Sequence, residues 1–139
     1  MFTHILVPVD LGSRARPGLR AACQLALQNQ APVTLFHAIE RIDHLPAPSL
    51  KGFYGRLERA AKRHLLTLGR ELEDAGVTVR RVIVFGKVAP SIVKYASEKN
   101  VDLIVMDSHP LDGPGPDQGV AATSHRVAFL ARCAVLLVK

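Results

Sequence analysis

At 139 residues, 48% hydrophobic and 22% charged, the chain is sized for one domain, residues 1–139, with a proper core. No apolar run approaches the roughly 20 residues of a membrane span. A net charge of +6 admits an anionic partner, but without aromatic interleaving or a nucleic-acid motif it does not point to nucleic acid. The two cysteines, Cys23 and Cys133, sit inside apolar patterns and are expected to be buried, reduced thiols. The first residues run straight into a strand without a secretory signal, so the expected location is cytoplasmic.

Ile5-Leu6-Val7-Pro8-Val9 is a continuous apolar run, the pattern of a strand covered on both faces, and Asp10 to Ser13 break it. A helix is predicted from about Arg14 to Asn29, with Leu19, Ala22, Cys23 and Ala26 on one face and Ala31-Pro32 closing it. Val33 to Ile39 reads as a second strand, residues 40–50 as a loop, and about Leu50 to Ala75 as a long helix striped by Phe53, Leu57, Ala61, Leu65, Leu68 and Leu72. Arg56, Arg59, Arg63 and Arg70, with Lys62, fall on its solvated outer face. Gly76 takes the place of a left-handed cap. Val77 to Val84 is a third strand, and Gly86 turns it into a helix with Pro90 in the first turn and Asn100 at the end. Leu103 to Met106 forms strand four. A helix through Val127, Leu130 and Ala131 and a last strand, Ala134 to Val138, complete an alternation that implies right-handed βαβ units and a parallel sheet.

The most informative segment is Met106 to Ser124. It follows the fourth strand, where an open α/β sheet places a phosphate loop. Gly113, Gly115 and Gly119 suggest a phosphate cradle, but Pro114 and Pro116 remove backbone N–H groups from it, and Asp107, Asp112 and Asp117 add negative charge. The place suits nucleotide binding and the chemistry does not.

In order and at similar spacing, several pieces resemble the universal stress protein family over essentially the whole chain. They are His4-Ile5-Leu6-Val7-Pro8-Val9-Asp10, His37-Ala38-Ile39, Gly86 to Ile92, Val101 to Met106, Ser124-His125-Arg126-Val127 and Cys133 to Val138. The resemblance implies a flavodoxin-like, HUP-type open parallel sheet in the order 3-2-1-4-5 with helices on both faces. It also implies a homodimer paired through the last strand, Ala134, Val135, Leu136, Leu137 and Val138, an apolar edge that pairing would protect. One branch of the family binds ATP through a motif of glycines and hydroxyls. Here Asp107 and Pro110 stand at its first two glycines and Ala121 and Ala122 at its closing glycine and hydroxyl, in a loop one residue too long; only Ser124 is retained.

If a nucleoside pocket survives, family position puts Pro8, Val9, Asp10, Ala38, Met106, Ser108 and Ser124 around it. Asp10 reads equally as a turn or helix-capping residue, and Pro8, Val9 and Ala38 as plain core. The six histidines show no zinc-type spacing; Asp107, His109 and Asp112 read as solvated loop side chains rather than metal ligands. Ser108-His109 lacks the glycines of a nucleophile elbow, and no carboxylate pair carries an acid/base role. The expectation is a cytoplasmic, homodimeric stress-response protein, not an enzyme, with no cofactor. It would act by pairing and by contacting another macromolecule or a small ligand. The alternative is an ATP- or AMP-binding sensor with a remodelled loop and at most weak ATPase activity. An adenylating enzyme or a flavoprotein subunit of related architecture would need an intact phosphate loop or a cofactor domain, and neither shows.

Overall fold

In the computed structural model, which describes residues 1–12, 16–41, 47–108 and 118–139, with side chains for all of these but 47–50 and 118–122, strands and helices alternate along the chain. The strands are β1 (Ile5–Pro8), β2 (Val33–Ile39), β3 (Val79–Phe85), β4 (Leu103–Asp107) and β5 (Ala134–Val138). The helices between them are α1 (Pro17–Asn29), α2 (Ala47–Asp74), α3 (Val88–Glu98) and α4 (Gln118–Leu130). The strands form one parallel sheet in the order β3-β2-β1-β4-β5.

Both faces of the sheet are covered at its centre, which is why β1, β2 and β4 read as mainly apolar, buried runs, whereas the edge strand β3 carries Arg80 and Arg81. Ile5, Val7, Val33, Leu35, Leu103 and Val105 pack against Leu19, Ala22 and Ala26 of α1 and Leu65, Leu68 and Leu72 of α2. Leu6, Phe36, Ala38, Ile104 and Met106 pack on the other face against Ala89, Ile92 and Ala96 of α3 and Val127 of α4. The arginine stripe of α2 (Arg56, Arg59, Arg63 and Arg70) is exposed, as its spacing predicts.

Helices α1, α2 and α3 end alike. A residue at positive φ follows each: Gln30 at 52°, Gly76 at 101°, Asn100 at 54°. The apolar residue after it sends its N–H back five residues, Ala31 to Ala26, Val77 to Leu72 and Val101 to Ala96, each at 3.0 Å. Gly76 also donates to Glu73 at 3.0 Å, completing the double-bonded cap at the end of α2. The αL residue thus ends α1, where the sequence pointed to Pro32. Helix α2 begins at Ala47, inside the segment expected to be a loop, and β3 begins two residues later than expected because Val77 belongs to the cap.

Candidate functional site

In open α/β sheets ligands lie beyond the carboxyl ends of the strands, where the strand order reverses. Here that point lies between β1 and β4, whose pairing sets Ile5 beside Leu103 and Leu6 beside Ile104. Val9 follows β1 directly. Its N–H donates to Phe36 O at 2.8 Å, and its carbonyl accepts from His37 Nδ1 at 2.8 Å. That bond puts the His37 proton on Nδ1. Asp10 is exposed, and its Oδ1 accepts the Gly12 N–H at 3.0 Å, a turn closed by the residue's own side chain. Asp10 does not cap α1, whose N-cap is Arg16.

Asp107 supplies that cap. Arg16 offers no side-chain acceptor to the helix, and Asp107 Oδ1, at the end of β4, accepts the Gly18 N–H at 2.7 Å. The fit needs a glycine: a Cβ at position 18 would lie 2.8 Å from that same oxygen. A bond between residues 89 apart in sequence therefore straps β4 to the first turn of α1 across the switch point.

The other sequence-derived pocket residues divide. Ala38 and Met106 are buried together on the α3/α4 face, and half-buried Pro8 pairs with Phe36 at the end of β1. Val9 packs against the α1/α2 cluster instead, the plain core role. Ser108 donates its N–H to Val138 O at 2.7 Å, and Ser124 is buried within α4. Gly119, Ala121 and Ala122 fall inside α4, so Gly119 belongs to a helix and not to a loop. Pro110, Asp112, Gly113, Pro114, Gly115, Pro116, Asp117 and His109 lie outside the described residues.

Residues that the sequence did not connect complete the carboxyl end. His64 of α2 feels Arg16, His37 and Asp10. Its Nε2 is buried without a hydrogen-bond partner. Burial, then the Arg16 charge and His37, pull the imidazole below its usual value, while the Asp10 carbonyl and carboxylate pull the other way. His64 is therefore a neutral ring at pH 7. Two signals pointed here: His37 alternates onto the α1/α2 face with Val33 and Leu35, and His64 follows Ala61 on the buried stripe of α2.

Among the described residues no group of three histidine, cysteine or acidic side chains is arranged to hold a metal. An open cleft of about 480 Å³ lies at the other end of the sheet, lined in part by Lys94, Ser97, Arg132 and Cys133. Burial, and then Asp102, push the Cys133 thiol up, so it is not a thiolate nucleophile. Both cysteines are free, and both are half-buried rather than buried. No helix among the described residues is long and apolar enough to cross a membrane.

A parallel sheet in this order, with polar residues gathered at its switch point, defines a flavodoxin-like α/β protein. The universal stress protein family model matches residues 1–139, and the chain belongs to that family. It is similar to universal stress protein YxiE of Bacillus subtilis, 26% identical over 100% of both chains. It also resembles the solved structure of MJ0577, a universal stress protein of Methanocaldococcus jannaschii: 28% identity, TM-score 0.81, covering 100% of this chain and 96% of that one. The fold is shared with the universal stress protein of Archaeoglobus fulgidus solved in complex with dAMP: 20% identity, TM-score 0.73, covering 99% and 98% of the two chains.

Proposed function

We propose that this chain is a non-catalytic, homodimeric stress-response protein of the cytoplasm that has lost tight ATP binding and retains at most a nucleoside pocket beside Asp10. The observation that carries the reading is the Asp107 carboxylate seated on the Gly18 N–H. Asp107 stands at a glycine position of the ATP motif and puts a negative charge at the end of β4, where the phosphate loop would begin. Calorimetry with Mg-ATP tests it: no binding is expected below about millimolar concentration once donors worth roughly 1.5–3 kcal/mol each are lost. A micromolar dissociation constant overturns it.

Pairing is supported by the apolar edge at β5. Leu136 is 37% exposed there, and Phe129 of α4, near the strand in sequence, is 88% exposed. A second copy of the chain would cover this surface. Light scattering should return about twice the 15.1 kDa chain mass, and a monomer at micromolar concentration would remove the dimer. A protein partner of the dimer is a further part of the proposal.

The second reading is an ATP- or AMP-binding sensor. The Archaeoglobus fulgidus relative was solved with dAMP, and in this chain Ala38 and Met106 form a buried apolar floor on the α3/α4 face, while Asp10, just past the end of β1, is exposed. Asp10→Ala separates the readings. If a nucleoside pocket is present, the change abolishes adenosine binding with little loss of stability. If Asp10 only closes its turn, binding is untouched and stability falls by about 1 kcal/mol.

A further inference from the structure

We infer that the outer face of α2 is a docking surface for an acidic segment of a protein partner, held by the row Arg56, Arg59, Arg63 and Arg70. The inference rests on the partner-binding role proposed above and names the chemistry of that partner. The four arginines recur at helical spacing along about 21 Å of α2, at 1.5 Å per residue. All four are exposed. Among the described residues none of them has a carboxylate partner: the ion pairs there join Lys62 to Glu58 at 3.3 Å and Arg81 to Glu73. Arg56 and Arg59 are three residues apart, and Arg59 and Arg63 four, the spacings at which like charges on a helix repel. Glu58 and Lys62 show the usual arrangement, opposite charges one turn apart. The arginine row is held against its own repulsion, and carboxylates from a partner would relieve it.

The helix surface is shaped around the row. Helical side chains lean toward the N-terminus, and Gly52 and Gly55 lie one turn before Arg56 and Arg59. A Cβ at these glycines would stand 3.7 Å from Arg56 Nη1 and 3.3 Å from Arg59 Nη1, so the bare backbone lets both guanidinium groups lie along α2. Glycine inside a helix lowers its stability. Phe53, 37% exposed, and Leu66, 42% exposed, flank the arginines. Arginine beside an exposed aromatic ring is the composition of a protein interface, where lysine is depleted. The row is also bounded. Glu71 and Asp74, exposed just past Arg70, reverse the charge. A continuous phosphate backbone would run onto them, whereas an acidic segment of about four helical turns fits the row and stops.

Fluorescence anisotropy at fixed ionic strength tests this with a labelled peptide of about 15 residues, glutamate at every third or fourth position and alanine between. The wild type should bind it. Replacing the row together (Arg56→Gln, Arg59→Gln, Arg63→Gln and Arg70→Gln) should weaken binding by about tenfold or more, as expected for several partly solvated charge pairs. A control protein loses the same charge elsewhere, through Lys87→Gln, Lys94→Gln, Lys99→Gln and Arg132→Gln. It should bind within about threefold of the wild type, because distant charges are screened. Equal weakening in the two variants would mean that net charge alone attracts the peptide, and overturns the inference. So does a wild type that fails to bind, or an oligothymidylate of the same charge that binds more tightly than the peptide. Circular dichroism checks folding; if the fourfold variant does not fold, Arg59→Gln with Arg63→Gln is compared with Lys94→Gln and Lys99→Gln, and equal binding by the two overturns the inference. Light scattering on the same samples reads the dimer separately, so the docking surface can fail while the pairing stands.

Discussion

At the amino ends of the strands, Asp102 accepts hydrogen bonds from the Thr3 N–H at 2.8 Å, the Thr3 hydroxyl at 2.9 Å and the His4 N–H at 3.0 Å. The His4 ring, buried beneath them, donates from Nδ1 to Lys99 O at 3.2 Å and accepts at Nε2 from the Thr34 hydroxyl at 2.8 Å. At the carboxyl ends the same residue types meet differently. Asp107 is used by α1, His37 by the Val9 carbonyl, and His64 Nε2 is buried with no partner. The difference separates two uses of polar side chains. A fully satisfied network ties the start of the chain to the sheet. An unsatisfied polar atom among charges raises the free energy of its own surroundings, and such atoms mark places where something other than folding has been selected.

The largest effect expected from this contrast is at Asp102. Asp102→Ala removes the acceptor for three donors, and because the site is partly solvated the cost should be about 2 kcal/mol by urea denaturation. Burial raises the Asp102 carboxyl, but the bonds from His4 and Thr3 outweigh it and hold the group below its usual value. A folded-state value below the unfolded one means stability that is present above about pH 3.8 and lost as pH falls through the depressed value. The variant should lose that acid-side dependence. Equal stability of wild type and variant would remove the claim that the amino end is the structural one.

Next in size is Gly18→Ala, which tests the strap at the other end. Alanine is the better helix former by about 1 kcal/mol, so without the strap the change should stabilise the protein. With it, the new Cβ lies 2.8 Å from Asp107 Oδ1 and 3.3 Å from the Asp107 backbone nitrogen. Separating β4 from α1 should cost more than the propensity returns, for a net loss of about 1 kcal/mol. A stabilised Gly18→Ala would show that Asp107 does not hold α1.

Local signals were the legible ones. Apolar runs, broken in β3 by Arg80 and Arg81, placed the strands, and Gly76 and Asn100 announced their caps because the backbone conformation they favour is a property of the residue itself. Gln30 takes the same conformation without any such preference; the buried Ala31 behind it sets the turn. Asp10 and the apolar floor were placed by family position, and their location at the strand ends follows from the sheet order. The Asp107–Gly18 bond was hidden, since 89 residues separate its partners. Its trace in the sequence was a helix starting at Arg16-Pro17-Gly18 with no serine, threonine, asparagine or aspartate to cap it, a vacancy that some distant acceptor had to fill. His64 was hidden for a similar reason: the period of α2 shows which face it is on, and only the crossover from β2 shows which strand end that face covers.

The smallest expected effect is the most diagnostic for the carboxyl end. His64 is pulled down, first by burial and then by Arg16 and His37, so the unfolded chain binds its proton more readily than the folded one. Stability from this group is therefore complete above pH 6.5 and declines as pH falls from there toward the depressed folded-state value. Urea denaturation of the wild type between pH 7.5 and pH 5 (roughly the range over which an imidazole titrates) should show this shallow fall. His64→Leu should flatten it. At pH 7.5 the same change removes a buried Nε2 that has no partner but also takes the ring away from the Asp10 carbonyl, so the two effects offset and stability should stay within about 1 kcal/mol of the wild type. At the amino end both ring nitrogens have partners: His4→Leu strands the Thr34 hydroxyl and the Lys99 carbonyl and should cost about 1–3 kcal/mol. Two histidines at opposite ends of the sheet, replaced by the same apolar residue, would then differ clearly in cost. Equal losses at both positions would mean that His64 is held by contacts of its own and that the carboxyl end is as structural as the amino end.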